Sequence, residues 1–129
     1  MKYLSGVLLL VCSLSGVALE QDWHCRNHDV EVTCAQDKCQ ASESFTPLDV
    51  YLSATGELSI GMYSGVWEGR ARVLTEQNYH VVIARGLVFS SAMERKADFI
   101  MTLNTIRRVA TLEGYGYVVP MTCKASSAN

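Results

Sequence analysis

Four cysteines, Cys25, Cys34, Cys39 and Cys123, follow the apolar N-terminus of this 129-residue chain and limit how it can fold. An even set of cysteines at wide spacing is typical of a disulfide-bonded domain from an oxidising compartment. In such a compartment the thiols are consumed by disulfides. The cysteines therefore favour a small crosslinked domain and disfavour an intracellular thiol or zinc site.

The first eighteen residues, 1–18, have the pattern of an export signal. Lys2 supplies a positive start, an apolar run covers 4–17, and Gly16-Val17-Ala18 is a small-x-small cleavage pattern. The apolar run is shorter than the roughly twenty residues that a membrane-spanning helix needs. We therefore expect a signal peptide over 1–18, no transmembrane segment, and a periplasmic or secreted address. The short signal and the lack of a glycosylation sequon point to a bacterial periplasm.

A fifth cysteine, Cys12, lies inside this signal. A lipoprotein peptidase that cut before Cys12 would leave it lipidated, but that cleavage usually follows a small residue and Val11 is not small. We expect Cys12 to be removed with the signal. Lipidation is the alternative, and it would add a membrane tether without changing the fold.

The remaining residues, 19–129, have the length and composition of one exported domain, with a loose tail from about residue 125. Acidic residues dominate from 20 to 57 and basic residues dominate afterwards, while the formal net charge of the whole chain is −2. The basic residues are scattered rather than clustered, so we expect no nucleic-acid partner. A polarised surface that steers a charged protein partner is compatible with this asymmetry.

Alternating apolar and polar residues predict short strands from Asp29 onward, for example over 30–34, 58–62 and 99–103. Glycine, proline, asparagine and serine turns separate these segments. The one candidate helical turn, Ala92–Ala97, is too short to persist without packing. We predict an all-β fold, a single small antiparallel barrel or sandwich-like meander, stabilised by disulfides and with little or no helix after the signal peptide.

The four cysteines allow three pairings. If Gln36-Asp37 forms a two-residue hairpin turn, Cys34 faces Cys39 at a non-hydrogen-bonded position, where Cα atoms are close enough for a disulfide. Cys25 would then pair with Cys123 and join the first strand to the last. A bridge between Cys25 and Cys34 is the competing arrangement.

Motifs for catalysis, metal binding or cofactor binding are missing from the sequence. His24, Cys25 and His28 form a cluster, but Cys25 is expected in a disulfide and a zinc site needs four ligands. Ser64 does not lie in a Gly-x-Ser-x-Gly motif, and no phosphate loop, haem motif or calcium loop is present. We expect no catalytic residue, metal or cofactor, and no enzyme activity. A hydrolase of unknown type, which would use Glu68, Ser64 or His80, ranks third among the functional hypotheses.

The segment 63–70 combines aromatic residues, charges and glycines around one tight turn. Tyrosine, tryptophan and arginine supply most of the binding energy at protein interfaces. We therefore predict these partner-binding residues: Tyr63, Ser64, Trp67, Glu68 and Arg70. The alternative for Trp67 is that it fills one end of the barrel core, as large aromatic residues in small β domains often do.

These features favour a protein-binding domain. The most specific hypothesis is an inhibitor or immunity protein that inserts a loop into the cleft of a cell-wall-degrading enzyme, with a peptidoglycan hydrolase or toxin as partner. The second hypothesis is a small barrel that carries an apolar ligand. It ranks lower because a chain of this length has little room for both a closed eight-stranded barrel and a cavity.

Overall fold

The computed structural model describes residues 19–126, and within them the fold is all-β without a helix. The predicted signal peptide, including Cys12, and the last three residues lie outside this range. In chain order the strands are β1 (Asp22–Arg26), β2 (Glu31–Ala35), β3 (Lys38–Ser42), β4 (Asp49–Leu52), β5 (Glu57–Met62), β6 (Gly65–Arg70), β7 (Arg72–Glu76), β8 (Tyr79–Phe89), β9 (Ala92–Asn104), β10 (Val109–Gly114) and β11 (Tyr117–Ser126). No helix in residues 19–126 is long and apolar enough to cross a membrane.

Eight of these strands close into an antiparallel barrel, which confirms the predicted fold. They follow each other around the barrel in the order β1, β4, β5, β6, β8, β9, β10 and β11, and pairing of β1 with β11 closes the ring. The β2–β3 hairpin extends from β11 beyond the end of β1. Strand β7 continues the line of β6 along the same edge of β8.

The barrel interior is filled by the apolar residues that alternate along the strands. In β6 and β7, for example, Trp67 is buried while Glu68, Arg70 and Arg72 are exposed. The fully buried side chains are Trp67, Leu52, Leu58, Ile60, Leu87, Met101, Leu103, Val50, Val82, Val119 and Cys25. Burial of this apolar surface is the main favourable contribution to folding.

Two disulfides crosslink the barrel. Cys25 on β1 bonds Cys123 on β11, and Cys34 on β2 bonds Cys39 on β3. In both bridges the two residues lie directly opposite each other in the ladder, with Cα atoms 4.0 and 4.1 Å apart. This is the connectivity that hairpin geometry favoured. The first bridge closes the barrel and the second fixes the β2–β3 hairpin.

Two segments differ from the strand pattern expected from the sequence. Ala92–Ala97 forms the start of β9 rather than a helical turn, because its backbone pairs with β8 through Phe89, Val88 and Leu87. Strand β1 lies before Asp29, where the predicted strands began. The sequence contains its signal, since the apolar Trp23 and Cys25 alternate with polar residues.

Candidate functional site

Two β turns meet at one end of the barrel and form its most exposed aromatic feature. The β5–β6 turn carries Tyr63 and Ser64, and the β8–β9 turn carries Ser90 and Ser91. The Ser91 hydroxyl donates to the carbonyl oxygen of Ser64 at 3.3 Å. We call these four residues the tip. The Tyr63 side chain is 85% exposed on it.

The base of the tip is held by a reciprocal pair of hydrogen bonds. The Val66 N–H donates to the Ser90 hydroxyl oxygen at 2.9 Å, and the Ser90 N–H donates to the Val66 carbonyl oxygen at 2.8 Å. These bonds join turns that are 24 residues apart in the chain. Tyr63 is therefore presented from a backbone that is already ordered before any partner binds.

Trp67 lies beneath the tip and is only 1% exposed. Its ring packs against Phe89, Phe99 and Tyr115, with centroids 4.8, 5.6 and 5.4 Å away. The indole N–H has no hydrogen-bond partner among the described residues. A side chain this deeply buried offers no surface to a partner, so the prediction that Trp67 contacts one is corrected: Trp67 supports the tip from the core.

Glu68 and Arg70 lie on the outer face of β6, apart from the tip. Arg70 donates a 3.3 Å hydrogen bond to the Thr55 carbonyl oxygen and lies 3.7 Å from the Glu57 carboxylate. Both partners of this ion pair are exposed, so the pair contributes little to stability. Of the five predicted partner-binding residues, the structure thus brings Tyr63 and Ser64 together and leaves Glu68 and Arg70 on the side of the barrel.

Ser90, Ser91 and Arg95 lie at this site and were not predicted from the sequence. The Arg95 guanidinium lies 5.7 Å from the centre of the Phe89 ring, within cation–π range. Ser90-Ser91 directly precedes the candidate helical turn Ala92–Ala97, and a Ser-Ser turn between two strand-forming segments was the available signal.

A small apolar cavity of about 110 Å³ lies at the same end of the barrel. A Cβ atom on Gly114 would lie 2.7 Å from the Asp98 carbonyl oxygen and would also collide with the Phe99 ring, so glycine allows this close packing. The cavity is lined by Glu31, Thr46, Leu48, Ile60, Met62, Phe99, Leu112, Gly114, Tyr115, Tyr117 and Val119. It is smaller than the roughly 300–1,000 Å³ of sites that hold drug-sized ligands.

Polar side chains on the outer face of β1 and β4 form hydrogen bonds with one another. Asp49 Oδ1 accepts from Arg26 Nε at 2.5 Å and lies 2.9 Å from His24 Nε2. The Arg26 hydrogen bond is the main reason that the pKa of Asp49 is below its ordinary value. Within residues 19–126, no three His, Cys, Asp or Glu side chains are grouped closely enough to hold a metal ion.

We expect His80 to make the stability of the fold depend on pH. Its Nδ1 lies 2.8 Å from the Thr75 hydroxyl, and partial burial lowers the pKa of its imidazole. As the pH falls below about 6.5, the His80 imidazole is protonated in the unfolded chain before it is protonated in the folded protein. We therefore expect the free energy of unfolding to decrease as the pH falls from about 6.5 through the lower pKa of the folded protein. Urea unfolding at about pH 7.5 and pH 5.5 should show this loss, which His80→Gln should reduce.

Comparison with known proteins adds no functional assignment. No family model, curated protein or solved structure matches this chain. The tip, the filled barrel and the two disulfides are therefore the features of this chain that bear on its function.

Proposed function

We propose that this chain is an exported protein-binding domain that inserts its tip into a cleft of another protein. The observation that carries the proposal is Tyr63, which is 85% exposed on a turn that hydrogen bonds hold in place. An aromatic side chain on an ordered turn loses little conformational entropy when it binds, and such residues are frequent binding hot spots. The proposal includes no catalytic residue, metal or cofactor.

The packing of the barrel supports protein binding over carriage of a ligand. Trp67, Met101 and Leu103 occupy the interior, and the cavity at the tip end measures about 110 Å³. A lipid or a comparable apolar molecule needs several times that volume. The external surface, with the tip as its most exposed aromatic feature, is the more suitable place for recognition.

The partner that fits this tip best is a cell-wall-degrading enzyme, and the domain would act as its inhibitor or as an immunity protein. Enzymes that cleave glycosidic bonds commonly use a pair of carboxylates in a cleft. The tip offers the hydroxyls of Tyr63 and Ser64 and has no acidic residue, while the cationic Arg95 lies behind it. The two disulfides fit the oxidising compartment in which such enzymes act.

Titration of the purified protein against peptidoglycan hydrolases from its own and competing cells tests this proposal. We expect inhibition of cell-wall lysis, and Tyr63→Ala should weaken binding by about 30-fold, the effect of a ~2 kcal/mol hot spot. Tyr79 is 54% exposed at the far end of β8, so Tyr79→Ala is a matched control that should bind normally. Failure to bind or inhibit any of these hydrolases would refute the partner assignment.

The carrier hypothesis keeps one supporting observation, the apolar cavity beneath Tyr115 and Tyr117. Native mass spectrometry of the purified protein distinguishes the two functions. A copurifying small molecule would favour a carrier. A mass that matches the chain alone would favour the protein-binding function.

A further inference from the structure

Strand β7 has an exposed edge that is separate from the tip. On one side β7 pairs with β8 along its whole length, Arg72–Glu76. On the other side, β6 pairs with β5, but this pairing ends at Arg70 and Glu57. No strand within residues 19–126 pairs with the outer edge of β7. This edge carries neither a proline nor a lysine, two residues that commonly block pairing at sheet edges.

The hydrogen-bonding groups on this edge follow from the ladder. Glu76 and Tyr79 flank a two-residue turn, so they form a hydrogen-bonded pair. Because hydrogen-bonded and non-hydrogen-bonded pairs alternate along an antiparallel ladder, the backbone N–H and C=O groups of Val73 and Thr75 point away from β8. Ala71 supports this direction, because its N–H donates to the Gly56 carbonyl oxygen at 2.7 Å on that side. Val73 and Thr75 therefore present their N–H and C=O groups at the outer edge.

The side chains on the outer face of β7 are complementary to those of a second, antiparallel copy. A two-fold axis through Leu74 places Arg72 opposite Glu76 of the other copy, and the symmetry repeats this pair. The same register places Val73 opposite Thr75, so that their edge groups form backbone hydrogen bonds in both directions. It also places Leu74, 44% exposed in the single chain, against its own copy.

We propose that the protein forms a symmetric dimer in which the β7 strands of two copies pair antiparallel about Leu74. The partner is a second copy of this chain because an identical strand supplies both opposite-charge pairs and the central leucine contact. Leu74 lies beside the half-buried Val81 of β8, so the contact extends an apolar ridge that already exists. This inference does not depend on the proposed function.

The other exposed edge, on β3, is a poorer match to itself. Pairing of two β3 strands about Gln40 places Lys38 opposite Ser42, which gives no opposite-charge pair and no central apolar contact. In addition, the Cys34–Cys39 disulfide occupies one of its cross-strand positions. The β7 edge is thus the better dimerisation surface of the two.

The tip stays accessible in this dimer. Tyr63 is at the end of the barrel where β5 ends, and β7 runs from Ala71 toward the opposite end. Antiparallel pairing of β7 turns the two barrels in opposite directions, so the two tips point away from each other. Dimerisation and hydrolase binding can therefore be measured separately.

Sedimentation velocity of the disulfide-bonded protein over roughly 1–300 µM tests the dimer. We expect a monomer–dimer equilibrium, and Leu74→Lys should weaken it by at least about tenfold because it places two ammonium groups opposite each other. Ile100 is 46% exposed on the outer face of β9, away from the edge, so Ile100→Lys is the matched control and should dimerise normally. Unchanged thermal unfolding would establish that both variants are folded.

A charge exchange tests the register. Arg72→Glu and Glu76→Arg should each weaken the dimer, because each creates two like-charge pairs, whereas the double variant should restore it. A wild-type protein that sediments as a monomer at all concentrations would overturn the proposal. Equal weakening by Leu74→Lys and Ile100→Lys, or no restoration in the double variant, would also overturn it.

Discussion

Replacement of both Cys25 and Cys123 by alanine is expected to lower the free energy of unfolding by about 4 to 5 kcal/mol. The bridge spans 98 residues, so its loss returns a large loop-closure entropy to the unfolded chain. Both sulfur atoms also belong to buried residues of the barrel core, and their removal leaves a small cavity there. Guanidinium unfolding, followed by far-ultraviolet circular dichroism, measures the loss.

The matched control replaces both Cys34 and Cys39 by alanine. This bridge spans 5 residues on an exposed hairpin, and the same chain-entropy relation gives it about 2 kcal/mol. Reduction of the wild-type protein should have an effect at least as large as the loss of the long bridge alone. An equal or greater loss from the Cys34 and Cys39 variant would show that barrel closure does not depend on the long crosslink.

Trp67→Ala is the second substitution with a large expected effect, a loss of about 3 to 5 kcal/mol in the free energy of unfolding. It removes the largest fully buried side chain and the ring that Phe89, Phe99 and Tyr115 surround. Trp67→Phe should cost much less, because it keeps an aromatic ring and removes an indole N–H that has no partner among the described residues. Denaturant unfolding of both variants measures these differences.

A comparison of Trp67→Phe with Tyr63→Ala distinguishes support of the tip from direct contact with a partner. Trp67→Phe should keep nearly normal hydrolase binding, whereas Tyr63→Ala should weaken binding by about 30-fold and change stability by less than about 0.5 kcal/mol. The opposite pattern, with binding lost in Trp67→Phe and kept in Tyr63→Ala, would contradict the assignment of the tip as the binding surface.

The fold was predictable because strands of the barrel such as β4 and β10 alternate between buried and exposed residues. Alternation over 58–62 predicted one of these strands, and β5 covers Glu57–Met62 with Leu58 and Ile60 buried. Local pairing geometry likewise indicated the hairpin disulfide of Cys34 and Cys39. Which face of a strand is buried, and which residues pair in a hairpin, can be predicted from a few neighbouring residues without the rest of the chain.

The site was less predictable because it depends on contacts between distant segments. The hydrogen bond from Ser91 to Ser64 joins residues 27 positions apart, and nothing local in either turn indicates the other. Trp67 is adjacent in sequence to the exposed Glu68, yet the closure of the barrel buries it. The cluster of interface-type residues in the sequence therefore did not indicate which of its side chains reach the surface, Tyr63 being exposed and Trp67 buried.

The two crosslinks also imply an order of oxidation during biosynthesis. The Cys34–Cys39 hairpin can close as soon as β3 has emerged, whereas Cys25 must wait for β11, the last strand of the barrel. Early closure of the hairpin occupies the two cysteines that would otherwise compete for Cys25. We therefore expect the short bridge, which contributes the smaller share of stability, to limit mispairing of the nascent chain until the long one can form.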